Sequence, residues 1–296
     1  MINKYTQISD YRDDKHYRES FNSLALDTFG IDFSAWYDAG GWNDRYVCYS
    51  YLFEDRVVSN ASVNLMDLVI NGQSVKAVQI GTVMTHPEHR GRGLSLGLMN
   101  AVIEKYDSQC DFFYLFANET VYDFYPRFGF KRIFESSFSF DIEKTDYCLQ
   151  NTGVKKLNTK DAKDFELLKN LTVGRIPVSE TLGIINEEHL VIFHCFNTFA
   201  DHIYYLEDEE LIVIFRHDGN KLKIYDIISR HRTDVRNIIN RLIKSETEKV
   251  LIFFTPDWDN ERIRQETDES SELFIRPGDY DICNGKGFVF PVTSQA

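Results

Sequence analysis

Apolar positions along this 296-residue chain recur in two periods. Tyr17, Phe21, Leu24, Ala25 and Phe29 fall at helical spacing and stop at Gly30, which predicts a helix over 16–30. An aromatic loop, Ile31 to Trp42, follows and is closed by Gly40-Gly41. Tyr46 to Phe53 and Val57 to Val69 read as a hairpin around Glu54-Asp55. Asn71-Gly72 makes the next tight turn, into a third strand over 75–84. Leu94, Leu98, Ala101, Val102 and Tyr106 then share one face of a helix over 94–106. Phe112 to Ala117 reads as a buried strand, and Asn118 as the cap of a short helix ended by Pro126 and Gly129. Ile133 to Ile142 is a last strand.

After about Asp146 the alternation begins again. Thr159 to Asn170 reads as a helix, and Leu190 to Phe196, His202 to Leu206, Leu211 to Arg216 and Leu222 to Ile228 as strands. Asp234 to Lys244 is an amphipathic helix carried by Val235, Ile238, Ile239 and Leu242, and Val250 to Phe254 is another strand. Single cores rarely grow beyond about 250–300 residues. The chain is therefore expected to hold two mixed α/β (α+β, mixed-sheet) units, 1–145 and 146–296.

The chemistry concentrates between the third strand and the helix at 94, in Val83-Met84-Thr85-His86-Pro87-Glu88-His89-Arg90-Gly91-Arg92-Gly93-Leu94-Ser95. A strand, a glycine-rich turn and a helix start make an anion site, because glycines let the backbone come close and first-turn N–H groups point at the ligand. The helix dipole and the side chains of Arg90 and Arg92 add to the pull on a pyrophosphate. It is not a P-loop, since no Lys-Ser or Lys-Thr follows the glycines. It is not a full dinucleotide fingerprint either, since Gly97 falls one place late.

Arg90-x-x-Gly93-x-Ser95 instead resembles the acetyl-coenzyme A signature of the GNAT acetyltransferases, with Ser95 standing where glycine or alanine is usual. A second block agrees in order and spacing: Asn118, then Tyr125 seven residues on, then Gly129-Phe130. The resemblance covers roughly 15–140 and implies the GNAT fold. The second half resembles a GNAT-like unit that has lost its coenzyme turn, because Ser229-Arg230-His231-Arg232-Thr233-Asp234 holds no glycine.

The resemblance implies direct attack of a neutral amine on acetyl-coenzyme A, with no acyl-enzyme and no metal. Tyr125 is then the general acid, since a phenol with a pKa of about 10 stays protonated at neutral pH and can donate to a departing thiolate. Arg90, Gly91, Arg92, Gly93, Leu94 and Ser95 are expected to hold the pyrophosphate mainly through main chain. Backbone N–H groups near Val83 and Met84 meet the pantetheine and polarise the thioester. Asn118 resembles the asparagine that closes the coenzyme site, and a plain helix cap explains it equally well. Where some GNAT enzymes carry a basic glutamate this chain has Gln79 or a near neighbour, which can hold a water but take no proton. Glu54, Asp67 and His86 are poorer candidates. The carboxylate of Ala296 is a further one, since some multidomain relatives are thought to use their last residue.

For the acceptor, Trp36 and Trp42 mixed with Asp38 form an aromatic-acidic loop suited to an ammonium group, or alternatively to core packing. A net charge of −13, with 14 basic against 20 acidic residues in 1–145 and 19 against 26 in 146–296, is spread rather than held in a tail. It argues against nucleic acid and anionic membrane surfaces as partners, and favours a small cationic amine, while a charge that serves solubility explains it equally well. Five cysteines without a Cys-x-x-Cys pair, no zinc spacing, a polar start and no apolar run of membrane length fit a cytoplasmic protein. The pattern is compatible with a homo-oligomer. A different class of function, a coenzyme A-binding sensor or scaffold that acetylates nothing, would keep the turn without needing Tyr125.

Overall fold

The computed structural model describes residues 4–143, 153–258 and 262–296. The first half runs β1 (Thr6–Ser9), α1 (Lys15–Phe29), α2 (Ser34–Asp38), β2 (Tyr46–Phe53), β3 (Arg56–Ile70), β4 (Gln73–Thr85), α3 (Leu94–Tyr106), β5 (Phe112–Phe116), β6 (Lys131–Arg132) and β7 (Glu135–Asp141). The second runs β8 (Val154–Lys156), α4 (Ala162–Thr172), β9 (Leu182–Ile185), α5 (Glu188–Asn197), β10 (Ile203–Leu206), β11 (Leu211–Asp218), β12 (Lys221–Ile228), α6 (Val235–Leu242), β13 (Lys249–Ile252), β14 (Arg264–Asp268) and β15 (Leu273–Arg276).

Local chemistry sets the first half. Asp14 caps α1 by accepting from the amides of His16 and Tyr17, and Gly30 ends it at φ 71°. Both expected hairpin turns are tight, with left-handed pairs at Glu54-Asp55 and Asn71-Gly72. Phe21, Leu24 and Ala25 of α1 join Trp36, Trp42 and Tyr46 on one face of the sheet. Leu94, Leu98, Met99 and Val102 of α3 pack on the other.

Two mixed sheets result, in the orders β1-β2-β3-β4-β5-β15-β6, with β9 paired to β3, and β14-β7-β13-β12-β11-β10-β8. Each repeats one plan, an antiparallel meander, a crossover helix and a parallel strand, with β4-α3-β5 in the first sheet and β12-α6-β13 in the second. The tandem arrangement anticipated from the repeating pattern is present as fold.

Three expectations need correction. The run at 190–196 is helix α5, not strand; a short apolar run cannot be told from a buried helix by periodicity, and here His189, Leu190, Val191, Ile192 and Cys195 are all buried. The strand within 133–142 forms, but as β7 in the second sheet, between β13 and β14. Its place in the first sheet is taken by β15, whose Leu273, Phe274 and Ile275 are buried between β5 and β6. The boundary placed between 145 and 146 lies outside the described residues, as does Cys148. β7 lies in the second sheet and β15 in the first. The short helix anticipated after Asn118 is two 3-10 turns, 119–121 and 125–128.

Candidate active site

β4 and β5 pair only over Ala77–Gln79 and Phe112–Tyr114. Past these residues they separate, so their C-terminal ends open a cleft, the place where open α/β sheets take ligands. β4 is also bulged there: its register against β3 slips between Asn60 and Ser62, and Thr82 sits at φ 49°. A bulge bends its strand and leaves backbone groups unpaired. Buried Asn60 holds the bend, donating from Nδ2 to the Thr82 carbonyl at 2.9 Å and to Ser62 Oγ at 2.9 Å, while Ser50 donates to its Oδ1. Sequence reasoning missed Asn60. A glycine inside a strand, Gly81, was the available signal for the bulge.

Below the cleft lies a cavity of about 700 Å³. One wall is 80–85 of β4, the opposite wall Phe116, Asn118, Phe124 and Tyr125, and the far end comes from Phe29, Phe33, Trp36, Leu190 and Phe193. Val83, Met84, Arg90, Ser95, Asn118, Tyr125 and Trp36, all expected at the site, line this one space.

At the mouth, Gly91 and Gly93 take φ of 73° and 80°, and Gly93 caps α3 with no side-chain hydrogen bond. A Cβ on either would meet no protein atom within 4 Å, so the space over the turn is open. Arg90 Nε donates to the Thr85 carbonyl at 3.0 Å and Arg92 to that of Glu88 at 2.9 Å, which braces the loop. Ser95 Oγ pairs with Thr85 Oγ1 at 2.8 Å, tying the first turn of α3 to the end of β4. Leu94 contributes main chain only, since its side chain is core. Open N–H groups, left-handed glycines and adjacent arginines fit a pyrophosphate.

Tyr125 is buried among Phe124, Phe130 and Phe274, and burial pushes its phenol up to about 12. Among the described residues no side chain bonds its hydroxyl. Asn118 does cap its turn, accepting from the amide and hydroxyl of Thr120, and also lines the cavity, so both expected roles share one side chain.

Gln79 does not hold a water at an open site. It is fully buried, donates to Tyr114 Oη and to the Ser294 carbonyl at 2.8 Å each, and accepts from the Ala296 amide. It therefore anchors the tail. Asp226 accepts from Thr293, His194 Nε2 donates to the Gln295 carbonyl at 2.6 Å, and Glu135 accepts from the Phe290 amide at 2.8 Å. These contacts bring Ala296 to the cavity beside Gly81, where an added Cβ would stand 3.1 Å from that of Ala296. Glu54 sits in a hairpin turn, and Asp67 is paired with Arg45 and Asn186.

The aromatic-acidic loop is split. Trp36 reaches the cavity with its indole N–H committed to the His189 carbonyl at 2.6 Å. Trp42 and Asp38 border a separate hollow of about 240 Å³ with Lys15, Arg18 and Tyr37. Trp42 is core, stacked near Trp36 and edge-on to Phe21 and Tyr46. Neither residue borders the cavity with Tyr125. His86, Glu88 and His89 bring ligand atoms within 4.8 Å of one another, the one such grouping among the described residues. No helix among them is long and apolar enough to cross a membrane.

One space thus joins a glycine turn on a helix start, a strand pair that parts at a bulge and a buried phenol. Residues 17–133 match the family model of the acetyltransferase (GNAT) domain, so the chain carries a GNAT acetyltransferase domain over that stretch. The wider fold agrees. A conserved protein of unknown function from Enterococcus faecalis is 16% identical, with 92% of this chain on 72% of that one at a TM-score of 0.60. A GCN5-related N-acetyltransferase from Kribbella flavida is 17% identical, with 92% on 71% at 0.55. A protein from Pyrococcus horikoshii is 13% identical, with 100% on 97% at 0.51. No curated protein matches the chain in sequence.

Proposed function

We propose that the protein moves an acetyl group from acetyl-coenzyme A directly to a primary amine. The observation that carries this is Tyr125, a protonated phenol with a free hydroxyl in the same cavity as the bulged strand and the phosphate turn. Bound acetyl-coenzyme A supplies the activated thioester. The main chain from Arg90 to Ser95 holds its pyrophosphate. N–H groups of the bulge near Val83 and Met84 stabilise the charge that develops on the thioester oxygen. The amine nitrogen forms the bond to the carbonyl carbon, the carbon–sulfur bond breaks, and Tyr125 gives its proton to the sulfur. The nitrogen loses one proton, so amide and free thiol leave in balance. For a chain ending at Ala296, the carboxylate beside Gly81 is our candidate for taking that proton, and appending one residue should then lower kcat.

Residues 1–145 supply the catalytic groups in this reading. Residues 146–296 act as a GNAT-like unit without a coenzyme turn, lending α5 and the tail to the cavity. The test is to incubate the protein with acetyl-coenzyme A and a panel of primary amines, following free thiol and acetylated product. Coenzyme binding without release to any amine would replace this reading with that of a coenzyme A-binding sensor.

A further inference from the structure

The end of the cavity away from the phosphate turn is where the acceptor must sit. It is built from Phe29, Ile31, Phe33, Trp36, Leu190 and Phe193. Phe33 stacks on Phe193 at 5.5 Å between centroids, and Trp36 meets Phe193 edge-on at 5.9 Å. The one indole N–H in this wall is already bonded to a backbone carbonyl. Among the described residues lining the cavity there is no aspartate or glutamate side chain; the charged groups are Arg90, at the phosphate end, and, for a chain ending at Ala296, the single terminal carboxylate beside Gly81.

The acidic residues of the loop at 31–44 are engaged elsewhere. Asp32 accepts from Asn22 and from the Ser34 amide, Asp38 faces the separate hollow, and Asp44 is paired with Arg12. Just before α5, Glu187 is buried against Arg175. A second ammonium group entering this end would thus lose its water with no carboxylate side chain to meet it, which is costly. An aromatic or branched apolar body would instead bury its surface against rings.

We propose that the acceptor is a monoamine on an aromatic or otherwise apolar body, an arylalkylamine in chemical class, rather than a polyamine or other polycation. This rests on the transferase reading and narrows it, and it reverses the cationic preference drawn from net charge. The overall negative charge draws cations toward the protein, while the cavity wall selects among them.

The experiment compares 2-phenylethylamine with spermidine as acceptors at saturating acetyl-coenzyme A, using wild type and Phe193→Ala. Binding of each amine to the coenzyme A-loaded protein is measured by calorimetry alongside. The expected result is kcat/KM at least about tenfold higher for 2-phenylethylamine, with Phe193→Ala lowering that value by a larger factor than it lowers the value for spermidine. Equal or better use of spermidine overturns the inference while keeping the transferase reading. Should neither amine be acetylated, the wider amine panel decides the transferase reading and the isotherms decide the inference. Binding of 2-phenylethylamine alone sustains the apolar site, and binding of spermidine or of neither overturns it.

Discussion

Asp226→Asn probes how the second half holds the tail against the cavity. Asp226 is fully buried, takes two hydrogen bonds of 2.7 Å from the Arg175 guanidinium and accepts from Thr293 Oγ1 at 2.5 Å. Removing one partner of a buried ion pair usually costs ~3–5 kcal/mol, because the other charge is left without compensation. A second carboxylate moderates this here. Glu187 lies 3.4 Å from Arg175 and is held up at about 7, by burial first and then by the negative charge of Asp226, against the pull of Arg175. With Asp226 neutralised, Glu187 ionises more readily and takes over as the longer partner of Arg175. The expected loss is therefore ~2–3 kcal/mol at pH 8, growing as pH falls toward 5.5 and Glu187 gains its proton. Urea unfolding of wild type and variant at both pH values reads this directly. A loss under ~1 kcal/mol, or one that does not change with pH, would refute the charge accounting.

Other expectations follow from single contacts. Thr293→Val removes the tail's bond to Asp226 but keeps the Arg175 pair, so kcat should fall more than stability, with KM for acetyl-coenzyme A unchanged in steady-state assays. Gly93→Val forces a β-branched residue into a left-handed backbone and puts a side chain over the phosphate turn, so calorimetry should show coenzyme binding lost. Glu135 is raised from 4.5 to about 7, chiefly by burial, so it binds more protons folded than unfolded. Its contribution is complete below about pH 4.5 and is lost as pH rises through 7. Glu135→Gln should thus gain up to ~3 kcal/mol relative to wild type between pH 4.5 and 8, measured by denaturant midpoints, and no relative gain would contradict the raised value.

What could be read from sequence is what neighbouring residues determine. The turn from Arg90 to Ser95 and the block from Asn118 to Phe130 are local devices whose spacing carries their geometry, and both meet at the cavity. Gly30 and the turns at Glu54-Asp55 and Asn71-Gly72 were legible for the same reason. Contacts made across long stretches of chain were not. Nothing in Leu273–Arg276 says that it replaces β7 between β5 and β6, and nothing near Gln79 says that its amide grips residues 294 and 296. Trp36, Asp38 and Trp42 sit close in sequence yet face two different spaces. The apolar run of α5 matched both periods, and only its packing on the loop at 31–36 decides for helix.

The most direct test of the central claim is acetyl transfer by Tyr125→Phe. Free thiol release from acetyl-coenzyme A with an accepted amine would be compared with wild type, and coenzyme binding measured in parallel. With the phenol as proton donor, turnover should drop about 10²–10⁴-fold while coenzyme affinity stays within a few-fold. An unchanged rate would remove Tyr125 from the chemistry and with it the observation on which the proposed function rests.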